Sequence, residues 1–522
     1  MSFWLLLGDY ASWTSMAGIP RIASAPNWPL RMFWIIVWVA MFGIAVYQLF
    51  LIFTKFFSFP ITVTTLLQMK PQPFPVVTIC NSNPYKLGHV NAEKLFIRMK
   101  TLREEYERMI GNSQYELTGT DTYGLNKVKT YFKKTERVQE AQVLLASLIT
   151  DHNVRRAVSY SYDELVKECT YNDISCGISD FRPIFDPTYG NCYKFNFNST
   201  RKAYRSGMKS GLRLVLFADA TDKMGKHQLL PMTQTVGFRV RISGPNIDPA
   251  MESFGIPIGT GAHTKIGLKL TEIKRMKRPY GICVDEDKRG TFYPDSKYSL
   301  DVCIRTCLQR RIIENCGCAH PRYGYPEDQK TCDTDALDCL LQLRENRTWN
   351  PLQECKCNPS CDEMQYDTTI SQSRYPSLRQ AENLMHAMNE AQLFKNEPQR
   401  AMSYYQKNYG LLNVYFDTLN SEFLQEEPSY PILSALIELG GQMVLWLGMS
   451  IISVIEMFGL IMIGFLYLCC GRKQKVRPVE EELIKDKRIR DVQNLKAEID
   501  QHDQAYSRVK DIGALKWAEK RT

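Results

Sequence analysis

The chain is poor in histidine, with 7 in 522 residues, and it contains no G-x-S-x-G elbow, no H-E-x-x-H pair and no G-x-x-x-x-G-K-[ST] loop. Those absences remove the usual frameworks for serine hydrolysis, zinc proteolysis and P-loop nucleotide chemistry, so an enzyme is not expected. No block of Lys and Arg is dense enough to make nucleic acid a partner, because 65 basic residues face 56 acidic ones. Internal repeats and low-complexity tracts are also missing. A mean hydropathy of −0.29 excludes a polytopic membrane protein, yet it leaves room for one or two spans. Aromatics at 11% exclude a disordered chain.

Two long apolar runs stand out against that background. Met32 to Thr54 is 23 residues without a charge, enough to cross a hydrocarbon core of roughly 30 Å. It is too long for a secretory signal, begins after 31 residues and is followed by no small-residue cleavage pattern. The second run extends from Ile432 to Cys470. The prediction is a transmembrane helix at 31–56 and another at 432–470. Both termini then lie on one side, residues 1–30 and the tail 471–522, with 57–431 on the other.

Fourteen of the 16 Cys fall in that middle segment, together with the sequons at Asn198 and Asn346. Disulfides and glycans belong outside the cell. Arg472, Lys473, Lys475 and Arg477 follow the second run, which puts both termini in the cytoplasm and the chain in the plasma membrane, with lipid as a partner. Cys469 and Cys470 at that boundary are either acylated or inert.

The middle segment reads as α+β. Strands are expected at Phe74–Cys80, Leu212–Phe217, Gly237–Ile242 and Val414–Phe416, and helices at Ala92–Ile110, Val138–Thr150, Leu300–Asn315 and Leu378–Phe394. Ten Cys crowd into 283–361. Cys303 and Cys307 share a helix face, and Cys355 and Cys357 share a strand face, so parallel rungs could stitch one to the other. Full nesting gives Cys283–Cys361, Cys303–Cys357, Cys307–Cys355, Cys316–Cys339 and Cys318–Cys332; other connectivities stay open. Zinc held by the C-x-C pairs is the rival, but an exported segment favours oxidation, so no metal and no cofactor is expected.

The strings FPVVTICNSNPYK (Phe74–Lys86), YGNCYKFN (Tyr189–Asn196), PYGIC (Pro279–Cys283), YSLDVCIRTCLQRRIIENCGC (Tyr298–Cys318), CKCNPSC (Cys355–Cys361) and GGQMVLWLGMSIISVIE (Gly440–Glu456) stand together in one chain. In these the sequence resembles the degenerin/epithelial sodium channel superfamily, within it the FMRFamide-gated channels, with the acid-sensing channels next. The resemblance implies a homotrimer of hand-shaped subunits: a finger near 90–165, a thumb near 283–361, and a palm, a knuckle and a β-ball. It implies a sodium current blocked by amiloride. It matches the nested thumb pairs rung for rung and adds Cys80–Cys192 and Cys169–Cys176.

Two helices per chain cannot enclose a wet path, so conduction needs an oligomer in which each pore position becomes a ring. The resemblance makes Gly448-Met449-Ser450 the selectivity filter, with carbonyls and the Ser450 hydroxyl coordinating a partly dehydrated cation. Glu438 and Glu456 are 18 residues apart. An unbroken helix would put both on one face, ~27 Å apart. A carboxylate facing lipid costs ~2.5 kcal/mol or more, so Glu456 should face a pore or a partner helix; Glu438 either lines the pore or is solvated. Ala17-Gly18 stands where the family has a His-Gly pair in a re-entrant segment, with Gly18 retained for the turn.

The resemblance also makes Tyr280 a coupling residue, packed near Phe56 or Phe57 at the outer end of the first span. The agonist expected is a short extracellular neuropeptide, received by an aromatic pocket built from Tyr106, Tyr115, Tyr123, Tyr131, Tyr160 and Tyr162. Acid-sensing relatives carry a His pair just after the first span, and Lys55–Pro60 has none. Proton gating and constitutive activity remain the alternatives, and outside the class a disulfide-rich adhesion receptor.

Overall fold

The computed structural model describes residues 8, 10–12, 14–92, 96–111, 121–149, 152–285, 292–326, 328–345, 350, 354–470 and 488–502. The chain divides into two compact units, one formed by Met1–Pro60 with Pro428–Thr522, the other by Ile61–Glu427.

In the first unit a single helix runs from Trp28 to Phe57. Pro29 sits in its first turn, where a missing N–H costs nothing, which is why the helix begins before the predicted residue 31. It ends where Ser58 N–H donates to the Thr54 carbonyl at 3.1 Å and Phe59 turns to φ 46°. Thirty residues make a rod of about 45 Å, longer than a hydrocarbon core. Ile36 and Phe50 are each 63% exposed; in water that apolar surface would be a liability, in lipid it is the solvent-facing side.

The second apolar run is two helices, Ile432–Leu447 and Ile451–Cys470, bent by 79° at the break between them. The same-face spacing of an unbroken helix from Glu438 to Glu456 therefore does not apply. Gly448 stops the first helix, so the two carboxylates do not share one straight face. Ile432–Leu447 packs along Trp28–Phe57, as does the short helix Ile19–Ser24.

The second unit is built on strands β1 (Ile61–Met69), β2 (Gln72–Pro73), β3 (Val76–Asn81), β4 (Val166–Tyr171), β5 (Ile174–Ser175), β6 (Phe181–Asp186), β7 (Gly190–Phe195) and β8 (Lys202–Ala203). They continue as β9 (Leu212–Phe217), β10 (Gly237–Ser243), β11 (Ile256–Gly259), β12 (Ala262–Lys274), β13 (Asp362–Arg374), β14 (Tyr409–Phe416) and β15 (Asn420–Pro428). Among the described residues eight strands form one sheet in the order β1-β15-β12-β14-β9-β4-β5, with β13 on β12; five form a second, β11-β10-β3-β7-β6. Alternation fixes the register: Leu212, Leu214 and Leu216 of β9 point into the core that Ile79, Phe195 and Phe416 also fill. β12 and β13 pair along their full 13 residues, from Ala262 opposite Arg374 to Lys274 opposite Asp362.

Helices flank the sheets, and their ends explain where the sequence pattern was too long or too short. Tyr131–Ser147 starts seven residues before the expected Val138, after an extended Thr130. Leu300–Cys316 ends at Gly317, whose φ of 70° suits glycine. The expected helix 378–394 stops at Ala387, because Asn389 already adopts a left-handed conformation and Lys395 and Asn396 follow it.

Candidate functional site

The site is built around the break at Gly448. Its φ of 62° and ψ of 23° lie in the left-handed region that glycine enters without a Cβ clash. The Gly448 N–H donates to the Val444 carbonyl at 2.9 Å and the Met449 N–H to that of Met443 at 3.2 Å, closing the helix end. Ser450 opens the next helix: its Oγ accepts from the Ser453 N–H at 3.3 Å, and Ser453 Oγ accepts from the Ser450 N–H at 3.1 Å. Each serine caps the other, the reciprocal arrangement of a capping box. Met449 is buried in a small apolar cluster with Met16, Ala45 and Leu447.

The N-terminal segment folds back onto this break. Gly18 has φ 90°, and a methyl there would meet Trp38 Cδ1 at 3.0 Å, so other residues would be strained at this position. Its carbonyl accepts from the Ile22 N–H at 3.0 Å, starting the helix Ile19–Ser24. Ala17 lies directly against Gly448: a Cβ built on Gly448 would stand 2.5 Å from the Ala17 Cβ.

Two residues earlier, Glu456 Oε2 accepts three hydrogen bonds, from Thr14 Oγ1 at 3.1 Å, Ser15 N–H at 2.9 Å and Ser15 Oγ at 3.1 Å. Ser15 Oγ also lies 2.7 Å from Ser453 Oγ. Glu456 therefore faces a partner segment of its own chain. Thr14, Ser15 and Ser453 escaped the sequence reading. Of these only Ser453 carried a signal, the S-x-x-S spacing from Ser450 that marks a helix start.

Glu438 sits one turn and a half into Ile432–Leu447. Tyr430 OH donates to it, and Lys55 Nζ lies 3.9 Å from Glu438 and 4.2 Å above the Tyr430 ring. The carboxylate is thus paired within the chain, with its side chain 42% exposed. Phe56 and Phe57 end the first apolar helix and stack edge to face at 5.4 Å, with Phe59 on the Phe57 ring at 6.3 Å.

In the large unit seven disulfides join Cys80–Cys192, Cys169–Cys176, Cys283–Cys361, Cys303–Cys357, Cys307–Cys355, Cys316–Cys339 and Cys318–Cys332. The last five nest, tying the helix Leu300–Cys316 to an extended return. Among the described residues no three His, Cys, Asp or Glu stand together as metal ligands. Tyr280 is half-buried in the turn after β12, where the Gly281 N–H donates to the Lys277 carbonyl at 3.2 Å. Asn198 is exposed, and Thr200 Oγ1 donates to its amide oxygen at 3.0 Å; Asn346 lies outside the described residues.

The aromatic pocket expected within 90–165 is not what these rings form. Tyr106, Tyr123, Tyr160 and Tyr162 are buried as packing, Tyr131 is exposed on a helix, and Tyr115 lies outside the described residues. The space is elsewhere. A cavity of about 1040 Å³ is walled by both charges and by rings, among them Arg182, Asp186, Glu252, Tyr293, Arg305 and Arg322. At its wall Glu140 is locked: Arg322 Nη1 lies 3.0 Å from Oε2, Arg344 Nη1 3.7 Å from the same atom, and His320 Nε2 bonds Oε1. Burial alone would raise the Glu140 carboxyl, but Arg322 and then His320 hold it down at about 2. Asp186 goes the other way. Burial pushes it up to about 6, with the Glu252 and Asp248 carboxylates adding to the rise and the Thr188 and Tyr189 N–H groups opposing it.

Comparison with known proteins gives a consistent answer over most of the chain. The family profile described as amiloride-sensitive sodium channel matches residues 10–460. The degenerin-like protein asic-2 of Caenorhabditis elegans is 34% identical over 512 residues, 94% of this chain and 92% of that protein. The epithelial sodium channel subunit alpha of Neoceratodus forsteri is 26% identical over 538 residues, covering 88% and 79%. The degenerin-like protein unc-105 of Caenorhabditis elegans is 31% identical over 363 residues, but these span only 39% of its length.

Proposed function

Because the chain belongs to the amiloride-sensitive sodium channel family, we propose that three copies form a ligand-gated, sodium-selective channel of the plasma membrane, opened by a short extracellular neuropeptide of the FMRFamide type and blocked by amiloride. Sodium permeation is the family's activity; the trimer, the agonist and the site roles are our reading. The broken pair Ile432–Leu447 and Ile451–Cys470 is one span, the second, and Gly448-Met449-Ser450 is the filter. Residues 57–431 lie outside the cell, with glycans at Asn198 and Asn346, and both termini are cytoplasmic. The observation that carries this is the helix break at Gly448, because a helix interrupted inside a membrane brings main-chain carbonyls to a path that ions can use. Glu456 and Glu438 supply negative charge beside that path, and Ala17 and Gly18 line its lower end.

A peptide agonist is favoured by the scarcity of histidine and by the cavity of the large unit, whose volume and mixed charged and aromatic wall suit a ligand of a few residues. We assign coupling between agonist and gate to Tyr280 with Phe56 and Phe57. Expression in oocytes, with a panel of amidated peptides applied first and acid second, tests the whole reading. An amiloride-blocked sodium current evoked by peptide supports it, and Tyr280→Ala should then abolish the current at unchanged surface expression. A current evoked by acid alone would favour the second reading, proton gating, for which Asp186 is the specific motive, since a carboxyl near 6 charges and discharges in mildly acidic fluid. No current under any stimulus from well-expressed protein would remove both.

A further inference from the structure

The helix over residues 488–502 carries an apolar stripe that the conduction reading does not use. Val492, Leu495 and Ile499 recur at spacings of three and four and are 66%, 62% and 52% exposed. Arg490, Asn494, Ala497 and Gln501 occupy the opposite face. A lone helix of 15 residues is marginal in water, so a stripe of this kind needs a cover. A lipid surface is a poor one: the helix has three basic residues, Arg488, Arg490 and Lys496, against Asp491, Glu498 and Asp500, so 3 − 3 leaves no net charge to draw it to anionic headgroups.

We propose that this helix pairs in parallel with the same helix of other copies of the chain in one channel, as a short coiled coil. The proposal rests on the oligomeric reading above. Copies in one channel cross the membrane in the same sense, which makes the pairing parallel. Residues 471–487 are the only link to the second apolar helix, and 17 residues reach at most about 60 Å. The copies are thus held at an effective concentration on the order of millimolar, enough to offset a weak intrinsic affinity. With Val492 and Ile499 at one seam position and Leu495 at the other, Asp491 of one helix falls opposite Lys496 of its neighbour, a pair of opposite charge at the position that sets register. The next such pair in sequence, Glu498 with Asp503, is alike in charge, so Asp491 and Lys496 carry the register. In the same frame Arg488 and His502 take the remaining seam positions of the helix, and Tyr506 and Val509 take the next two in sequence.

The test uses the full-length channel in cell membranes with Cys469→Ser and Cys470→Ser, the two cysteines outside the disulfides. Oxidation with a membrane-permeant copper–phenanthroline reagent should link Val492→Cys subunits at least fivefold more than Ala497→Cys subunits, read on non-reducing gels. Asp491→Lys should lower the Val492→Cys yield, and adding Lys496→Asp should restore it. Equal yields at 492 and 497, no crosslinking at 492, or no recovery in the charge-swapped channel overturns the proposal, as does shielding of 492 by lipid instead of protein. Amiloride-blocked current from the same cells separates a missing coiled coil from a missing channel.

Discussion

Replacing Gly448 with alanine separates two costs that the structure places at one atom. Alanine at φ 62° is in the left-handed region, which costs about 1–2 kcal/mol. The added Cβ also stands 2.5 Å from the Ala17 Cβ, about 1 Å inside ordinary carbon contact. Overpacking of that kind costs about 1–3 kcal/mol. The sum of about 2–5 kcal/mol lowers the fraction of channels with the N-terminal segment seated on the break by tenfold or more, since each 1.4 kcal/mol is about a factor of ten. Ala17→Gly removes the opposing methyl and leaves the backbone strain, so it should return only the steric part. The assay is amiloride-blocked current per surface-labelled channel, together with the Na⁺/K⁺ reversal potential. Gly448→Ala should lose at least tenfold in current, Ala17→Gly alone should stay near wild type, and the double variant should recover roughly tenfold. A double variant no better than Gly448→Ala, or a Gly448→Ala channel with normal current, refutes the claim that these residues touch as described.

Ser15→Ala removes hydroxyl bonds to Glu456 and Ser453 and should loosen the N-terminal segment by about 1–2 kcal/mol. Faster thiol labelling of a Thr14→Cys reporter in the Ser15→Ala background checks it. Glu140→Ala leaves the buried Arg322 with Glu252 alone and should cost about 1–3 kcal/mol in the thermal stability of the solubilised protein. Since the Glu140 carboxyl is held at about 2, below its unfolded value, its contribution is complete above about pH 4.5 and is lost as pH falls toward 2. Melting curves between pH 6 and pH 3 should show an acid loss in the wild type that is reduced in Glu140→Gln.

Much of this architecture was legible because it is written in local pattern. The charge-free run at 32–54 marks a helix by length alone, and cysteines four apart in Leu300–Cys316 against cysteines two apart near Cys357 announce a ladder. Gly18 and Gly448 were readable as turn formers, since the left-handed region leaves few other choices. The partners of Glu456 were not. They lie more than 440 residues away in sequence, and nothing in a Thr-Ser dipeptide near the N-terminus distinguishes it from any other. The tyrosines of 90–165 misled for the opposite reason. Aromatic content says that a segment buries rings, not whether they pack on each other or around a ligand, and here Tyr106 and Tyr160 pack inward. The charged cavity was invisible because its wall is drawn from many separate stretches of chain.

The break also bears on how Ser450 would act in the proposed filter. Ser450 Oγ caps the helix Ile451–Cys470 by accepting from Ser453 N–H, and Ser453 Oγ returns the bond. A hydroxyl engaged this way is a structural group first. The preceding helix, by contrast, ends at Leu447 with its negative pole at the break, and the cap occupies the carbonyls of Met443 and Val444 while those that follow point beyond the helix end. Main-chain oxygens alone would then attract a cation. If that is so, Ser450→Ala and Ser453→Ala each remove half of one reciprocal cap, at a cost of about 1 kcal/mol, and both lower current with the Na⁺/K⁺ reversal potential unmoved, Ser453→Ala by more because it also gives up the bond to Ser15 Oγ. If the Ser450 hydroxyl instead binds the ion, Ser450→Ala alone shifts the reversal potential while Ser453→Ala does not. Recordings of the two variants side by side decide between a cap and a ligand, and a shift confined to Ser450→Ala refutes the cap.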